Sequence, residues 1–176
     1  MCNHYRNAPE ALSTWRDYIG WDLFDPLPAP DLWPRRPALV VCNGGAGKVP
    51  AVMTWGVPLT LPGKRPGTTV TKHVTNVRNL TSPFWRAMLN DPAQRCLVPF
   101  TSFAEPRPGG GRDEVWFAAP GTPLTAFAGI WRADDQGPVF AFLTCDPNPL
   151  VAPVHPKAMP VILAPLLRGS NGLLHR

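Results

Sequence analysis

The apolar residues near the start of the chain recur with the period of a helix. Leu12, Trp15 and Ile19 are spaced three and four residues apart, which places them on one helical face. Pro9 suits the opening turn of such a helix, and Asn7 can cap it. The sequence therefore predicts a short amphipathic helix at this position.

A second helix is predicted near the middle of the chain. It starts at Thr81 or Ser82 with Pro83 just inside, continues through FWRAML and stops at residues 90–92. A third, shorter turn is expected after residues 148–149.

Most of the other apolar runs are short and rich in β-branched and aromatic residues, which predicts strands. They read ALVVCN, AVMTWGV, TTVTKHV, RCLVPF, EVWFAA, AFAGIW, VFAFLT and MPVIL. Gly/Pro-rich loops are expected at 59–67 and 106–112. Because the helices are interspersed among unevenly spaced strands and do not alternate with them, we expect an α+β fold. Its core would be a curved, mainly antiparallel, barrel-like sheet with a few short helices.

Composition narrows the class of protein. A length of 176 residues predicts a single domain over residues 1–176, and 24 prolines argue against many long helices. No apolar stretch reaches the ~18 residues of a membrane span, and no basic segment followed by an apolar run opens the chain. We therefore expect a cytoplasmic, monomeric protein with no membrane partner.

The cysteines and the charge extend this interpretation. Cys2, Cys42, Cys96 and Cys145 form no C-x-x-C pair, which argues against a zinc site or a disulfide scaffold and fits a reducing cytosol. We expect no metal and no cofactor. The net charge of +5 and the pI near 9.4 suit a polyanionic partner.

The segment CNGGAGKVP resembles a phosphate-binding loop, but it departs from that motif at two positions. The pattern G-x-x-x-x-G-K-[ST] needs Gly where Cys42 stands and Ser or Thr where Val49 stands. We interpret the segment as a Gly-rich turn between two strands and reject nucleotide hydrolysis.

Cys2 directly follows the initiator methionine. If Met1 is removed, as is usual before a small residue, Cys2 carries an α-amine two carbons from its thiol, a 1,2-aminothiol that no internal cysteine can offer. The alternative is that position 2 is a tolerant chain end where a thiol has no role.

Asn76, Arg78 and Arg86 form the first group of candidate polar residues. Asn76 and Arg78 are two residues apart, and Arg86 lies on the helix just after them, a layout that suits phosphate contact with an amide nearby to hold a substrate oxygen. The alternative is a pair of surface arginines beside a capped helix.

Four further residues could carry chemistry or binding. Glu105 ends the apolar run RCLVPFTSFAEP, where a carboxyl group tends towards a raised pKa, and the alternative is an ordinary loop glutamate. His155 precedes an apolar strand and could shuttle protons, with Lys157 two residues later, or it could be a packing residue. Trp55 could stack on a base or lie in the core.

Taken in order, these motifs closely resemble the SOS-response-associated peptidase (SRAP) domain family. The resemblance rests on Met-Cys at the start, TWG, TNVRN, SPFWR, RCLVPFTSFAE, FAGIW, FLT and HPKAMPVIL, and it covers roughly residues 1–163. Proteins of this family recognise abasic sites in single-stranded DNA and crosslink to them, so the resemblance implies single-stranded DNA containing abasic sites as the partner, with nucleoid association during action.

The resemblance also implies roles for individual residues. The catalytic positions of the family are matched by Cys2, Asn76, Glu105 and His155. The DNA-binding positions are matched by Arg78, Arg86 and Trp55, with Lys157 supplying the charge of a further arginine.

The chain departs from the family pattern at several places. Asn3-His4 follows the cysteine where Gly-Arg is common, which predicts a missing or weakened phosphate contact. Pro106 replaces an aromatic residue after the acid, and one extra residue separates His155 from the Met-Pro pair. The tail, residues 164–176, does not resemble the usual helix containing Trp-Leu.

Three functions follow as hypotheses. The first is an abasic-site crosslinker, in which the Cys2 amine condenses with the sugar aldehyde and the thiol closes a thiazolidine ring. The second is a thiol peptidase or autopeptidase using Cys2, His155 and Glu105. The third is a non-catalytic single-strand binder that stacks bases on Trp55 or Trp85.

Overall fold

A computed structural model describes residues 2–20, 28–44, 47–118 and 124–163. Its helices are α1 (Pro9–Ile19) and α2 (Pro83–Asn90), followed by a 3₁₀ turn at Pro92–Gln94. The strands of the first half are β1 (His4–Arg6), β2 (Asp31–Leu32), β3 (Pro37–Gly44), β4 (Gly47–Trp55), β5 (Val57–Pro62), β6 (Thr69–Val74) and β7 (Asn76–Val77). Those of the second half are β8 (Arg95–Pro99), β9 (Ser102–Pro106), β10 (Glu114–Ala118), β11 (Ala126–Arg132), β12 (Val139–Cys145), β13 (Met159–Pro160) and β14 (Ile162–Leu163).

Both predicted helices are present. The apolar face predicted for α1 is buried, and α2 follows Ser82 and ends at Asn90 as expected. The cap predicted for α1 is wrong by one residue, because Ala8 occupies that position. Asn7 is buried instead, and its backbone N–H donates to the carbonyl of Pro30 at 2.9 Å.

The predicted strands form, with four corrections. AVMTWGV is divided at Gly56, between the end of β4 and the start of β5. The loop expected at 59–67 is too long, because β5 extends to Pro62 and pairs with β6. MPVIL is divided at Val161, whose N–H donates to the carbonyl of Leu143 at 2.9 Å. The apolar run that leads to Glu105 bends after Pro99 and forms two strands, β8 and β9, in different sheets.

The sheets confirm the α+β fold. The pairings of the large sheet run in a ring from β12 through β4, β3, β8 and β11 back to β12, giving a curved sheet that does not close as a barrel. Most pairs are antiparallel, whereas β12 runs parallel to β4 and β7. A smaller sheet has the order β10-β9-β1-β2, and β5 and β6 form a separate ribbon.

The Gly-rich segment after Cys42 joins two strands, as predicted. Strands β3 and β4 are antiparallel neighbours, with Gly44 opposite Gly47. Residues 45–46 and 164–176, and with them the prediction for the tail, lie outside the described residues. None of the helices in the described ranges is long and apolar enough to cross a membrane.

The core between the two sheets is an aromatic cluster. Phe127 on β11 stacks on Phe100 at a centroid distance of 3.9 Å, and Tyr5 on β1 meets both Phe127 and Trp55 edge to face. Tyr5, Trp55 and Phe127 are fully buried. Burial of such large rings is the main favourable term of folding, and it fastens the N-terminal strand to the large sheet.

Truncation of the central ring should be costly. We expect Phe127→Ala to lower the free energy of unfolding by about 3–5 kcal/mol, because the cavity is enclosed by neighbouring rings. Val70, which is half exposed on β6, provides the control: Val70→Ala should change stability by only about 0.5 kcal/mol. Urea titrations of the two variants measure the difference, and equal losses would contradict this assignment of the core.

Candidate active site

Four of the residues singled out by sequence meet at the N-terminal end of β1. Cys2 stands just before this strand, and His4 of β1 pairs with Ala104 of β9. Residue 105 follows directly on β9, so the antiparallel pairing brings Glu105 towards Cys2. Asn76 comes from β7 and His155 from the turn that precedes β13.

Asn76 anchors Cys2 through a buried hydrogen bond. Its side-chain amide donates to the carbonyl oxygen of Cys2 at 3.1 Å and to the hydroxyl of Thr75 at 2.7 Å. These two bonds use both amide hydrogens and fix the orientation of the group. The remaining Oδ1 atom is buried and accepts no hydrogen bond from the described residues. It is therefore an acceptor held beside the backbone of Cys2.

Glu105 is a buried carboxyl group that interacts electrostatically with Cys2 and His155. Its side chain is 0% exposed, and burial raises its pKa, an effect that the nearby charge of His155 opposes. Because the carboxyl group takes up a proton more readily than an exposed glutamate does, it is better suited to donate a proton as an acid.

The Cys2 thiol is also shielded. It is 1% exposed and lies within 3.4 Å of the carbonyl of His4. Burial is the largest of the effects that raise its pKa to about 12, and the charge of Glu105 adds to it. The thiol is therefore neutral at physiological pH, so a step that needs a preformed thiolate is disfavoured.

His155 is oriented by its own turn. Its Nδ1 lies 2.7 Å from the carbonyl of Ala158, to which the ring N–H donates. This bond occupies Nδ1 and fixes the orientation of the ring. An electrostatic interaction links His155 to Glu105.

The three predicted phosphate-binding cations are exposed. Arg78 donates to Asp146 at 2.6 Å, and both side chains of this pair are open to solvent. Such a pair is worth roughly 0–1 kcal/mol, so a phosphate could replace Asp146 at little cost. Arg86 and Lys157 make no ion pair with any described residue, which leaves their charges available to an anion.

The prediction that Trp55 offers a stacking surface requires correction. Its ring is 0% exposed, stacks on Phe142 and donates from Nε1 to the carbonyl of Thr75 at 3.1 Å. A base cannot reach it. Trp85, the other tryptophan considered, is 5% exposed and belongs to the core beneath α2. Trp55 instead supports the site indirectly. Its indole N–H holds the carbonyl of Thr75, the residue directly before Asn76.

Position 4 carries an arrangement that the sequence did not predict. His4 is buried, its Nδ1 lies 2.7 Å from Glu114 and its Nε2 lies 3.0 Å from Asp31. Both ring nitrogens therefore face carboxylates, and neither is left for a phosphate. The partners lie far along the chain from His4, so no local pattern could have identified them. Within the described ranges, no group of three or more His, Cys, Asp or Glu residues is arranged to hold a metal ion.

Thr75 was also missed. Its hydroxyl accepts from Asn76 and donates to the side chain of Asn3 at 3.3 Å, and its carbonyl accepts from Trp55. Its place directly before Asn76 was the only available signal. Thr75 thus links the core tryptophan to Asn76 and to Asn3, the residue that follows Cys2.

Comparison with solved structures supports the fold. A Bordetella bronchiseptica protein of known crystal structure has a TM-score of 0.68 and 24% identity, over 92% of this chain and 83% of its own. A phage-related protein from the same organism has a TM-score of 0.61 and 20% identity, over 93% of this chain and 78% of its own. No curated protein matches the chain.

The family comparison covers nearly the whole sequence. The model of the SOS response associated peptidase family, abbreviated SRAP, matches residues 1–170. This range includes all four residues that meet around the N-terminal end of β1. The chain therefore belongs to the SOS response associated peptidase (SRAP) family.

Proposed function

We propose that this protein captures abasic sites in single-stranded DNA by forming a covalent crosslink through Cys2 after removal of Met1. The observation that carries the proposal is the anchoring of the Cys2 backbone by Asn76 beside the buried carboxyl group of Glu105. In this proposal, removal of Met1 leaves the terminal amine and the thiol of Cys2 next to a carboxyl group that can carry a proton.

The amine acts first. A free α-amine has a pKa of about 7.7–8.0, so roughly a tenth or more is neutral at pH 7, whereas a lysine amine is far rarer in that form. It adds to the aldehyde of the opened abasic sugar and gives a carbinolamine. The proton released by the amine passes to the carbonyl oxygen. The protonated form of Glu105 then donates a second proton to the departing hydroxyl, so one water leaves and an iminium remains beside the Glu105 carboxylate.

The thiol acts second. A neutral thiol with a pKa of about 12 does not compete for the aldehyde, but once tethered beside the iminium it adds intramolecularly. The S–H proton passes to the Glu105 carboxylate, and the product is a five-membered thiazolidine. The balance is one amine, one thiol and one aldehyde giving the ring and one water.

The surrounding groups have separate tasks. Oδ1 of Asn76 accepts from the Cys2 amine and directs its lone pair, and His155 supplies a proton to the sugar oxygen as the furanose ring opens. Arg78, Arg86 and Lys157 bind phosphates of the strand.

The two alternative functions are less well supported. A thiol peptidase, which the family name suggests, needs a thiolate, and burial acts against thiolate formation at Cys2. A non-catalytic binder that stacks bases on Trp55 or Trp85 lacks the surface it requires, because both rings are buried.

The first prediction concerns the covalent bond. Incubation with a single-stranded oligonucleotide treated with uracil glycosylase should give an adduct that survives heat and denaturant on a gel. Cys2→Ala and Cys2→Ser should both abolish this adduct, because neither can close the sulfur ring. Cys145→Ser is the matched control, since Cys145 is an exposed thiol outside the site, and it should crosslink normally. A heat-stable adduct with Cys2→Ser would refute the ring.

The second prediction concerns pH. In the reactive form, only one of the two groups, the amine and Glu105, carries its titrating proton. The rate of crosslinking should therefore pass through a maximum as the pH rises and fall on both sides of it. Burial raises the pKa of Glu105, so the acidic limb should lie above 4.5, the ordinary value for glutamate. The alkaline limb belongs to the amine. Single-turnover rates between pH 4 and 10 measure both limbs.

Glu105→Gln tests the assignment of the acidic limb. In this variant the fall in rate on the acidic side should follow the pKa of the amine, because the amine must still be neutral to attack, and the reaction should be ~10²–10⁴-fold slower at the optimum, the range typical of a lost general acid–base. Glu10→Gln removes an exposed carboxyl group on α1 and serves as the control. An unchanged profile in Glu105→Gln would exclude the carboxyl group from proton transfer.

The third prediction concerns salt. Three phosphate contacts should give the affinity for single-stranded DNA a log–log salt slope of about −2, at ~0.7 per contact. Arg86→Ala should reduce the magnitude of the slope by ~0.7, whereas Arg112→Ala, at an exposed position in the loop between β9 and β10, should leave it unchanged. Fluorescence anisotropy at several salt concentrations measures the slope. A slope near zero would remove the three cations from the binding role.

A further inference from the structure

The turn between β2 and β3 has an unfavourable backbone conformation. The N–H of Arg36 donates to the carbonyl of Trp33 at 3.2 Å, which closes a four-residue turn with Pro34 second and Arg35 third. Arg35 has φ of +67°, the one positive φ found at a non-glycine residue of the described chain. A turn with proline second and positive φ third is type II, and its third position favours glycine. We name this element the Trp33–Arg36 turn.

The surrounding structure holds this conformation in place. The N–H of Arg35 donates to the carbonyl of Trp55 at 2.7 Å, and the N–H of Trp55 donates to the carbonyl of Arg36 at 3.1 Å. The turn is thereby fastened to the end of β4. Strained residues that persist in this way cluster at binding sites, so an arginine where glycine would fit better indicates that its side chain is used.

Trp33 presents a flat ring with a fixed orientation. It stacks on the imidazole of His4 at a centroid distance of 3.7 Å and an interplanar angle of 22°. Its Nε1 donates to Asp31 at 3.3 Å. Although one face is covered, Trp33 is 45% exposed. Because the ring is already oriented, a second planar group can stack on it at little cost in side-chain entropy.

The turn also carries positive charge. Arg35 and Arg36 are exposed and form no ion pair within the described part of the chain. They belong to a stretch, residues 32–90, that contains eight Lys and Arg residues and no Asp or Glu. The eight are Arg35, Arg36, Lys48, Lys64, Arg65, Lys72, Arg78 and Arg86. Asp31, directly before this stretch, accepts from Trp33 and is itself paired with His4 and Arg6.

The turn lies next to the proposed reaction centre. Strands β1 and β2 pair with Tyr5 opposite Leu32, and one step further the register brings Trp33 to His4, as the stacked rings show. The carbonyl of His4 is the group that the Cys2 thiol contacts. One imidazole ring therefore separates the indole from the backbone next to Cys2.

We infer that the Trp33–Arg36 turn binds the nucleotide next to the captured abasic site, with Trp33 stacked on its base and Arg35 on its phosphate. An exposed aromatic ring flanked by cations is the arrangement that binds single strands with little sequence preference. This inference rests on the proposed function, because it takes the abasic sugar to be at Cys2. The competing explanation is structural: Trp33 would only cover the pairs that His4 makes with carboxylates.

Arg35→Gly separates function from structure. Glycine adopts the positive φ without strain, so a purely structural turn would gain stability and lose nothing. Arg35 would add a fourth phosphate contact to the three proposed above, which brings the expected wild-type salt slope to about −2.8 at ~0.7 per contact. For Arg35→Gly we expect an equal or higher melting temperature and a slope smaller in magnitude by ~0.7. Arg112→Gly is the matched control and should leave the slope unchanged. An unchanged slope in Arg35→Gly would overturn the phosphate contact.

Trp33 is tested with strands that cannot crosslink. The full-length chain is titrated with a fluorescent oligonucleotide containing tetrahydrofuran, an abasic analogue without an aldehyde. Trp33→Ala should weaken binding by about 5- to 100-fold, the range expected from loss of one base stack. Trp33→Phe should retain most of the affinity, and melting curves establish that both variants fold.

A second strand, in which the nucleotides flanking the analogue are also tetrahydrofuran, completes a double-mutant cycle. The wild type should lose a similar factor on this strand, and Trp33→Ala should lose nothing further, because the base and the ring act on each other. If Trp33→Ala weakens binding by the same factor on both strands, or weakens it on neither, the inference is overturned.

A parallel assay with a true abasic site distinguishes the two levels of the proposal. If the wild type crosslinks but the cycle shows no coupling, only the role of Trp33 fails. If the wild type neither binds nor crosslinks, the proposed function fails and this inference fails with it.

Discussion

The hydrogen bond from the side chain of Asn76 to the carbonyl of Cys2 is the contact on which the site depends. Chain ends are usually the least ordered part of a domain, yet here the second residue is 1% exposed and the following strand is paired on both sides. The amide of Asn76 is itself fixed by Thr75, whose carbonyl is held by Trp55. The core tryptophan is therefore connected to the backbone of Cys2 through two intermediate residues.

Burial of this terminus determines the order of the proposed chemistry. Removal from water raises the pKa of the Cys2 thiol to about 12 and raises the pKa of the Glu105 carboxyl group, so burial acts against the charged form of each. A neutral thiol is a poor attacking group but a good second nucleophile once it is tethered to the substrate. The same burial that weakens a peptidase mechanism therefore suits capture of an aldehyde by the amine, followed by ring closure.

The sequence predicts the parts of the structure that depend on neighbouring residues. The apolar face of α1 and most strands follow from local periodicity, and the ordered motifs around Asn76, Glu105 and His155 indicate the site. The stacking role considered for Trp55 is wrong, because the sequence around a tryptophan does not reveal whether its ring is exposed or buried in the core. The pairing of His4 with Asp31 and Glu114 could not be predicted, since antiparallel pairing between distant segments creates it. The strain at Arg35 is likewise visible only as a dihedral angle.

Intact mass spectrometry of the DNA adduct tests the central claim most directly. A thiazolidine at Cys2 predicts a mass equal to the protein without Met1 plus the abasic oligonucleotide, less one water. Borohydride treatment should leave that mass unchanged, because no imine remains to be reduced, and digestion should place the sugar on the N-terminal peptide. An adduct that retains Met1, or that gains two hydrogens on reduction at a lysine, would contradict the account.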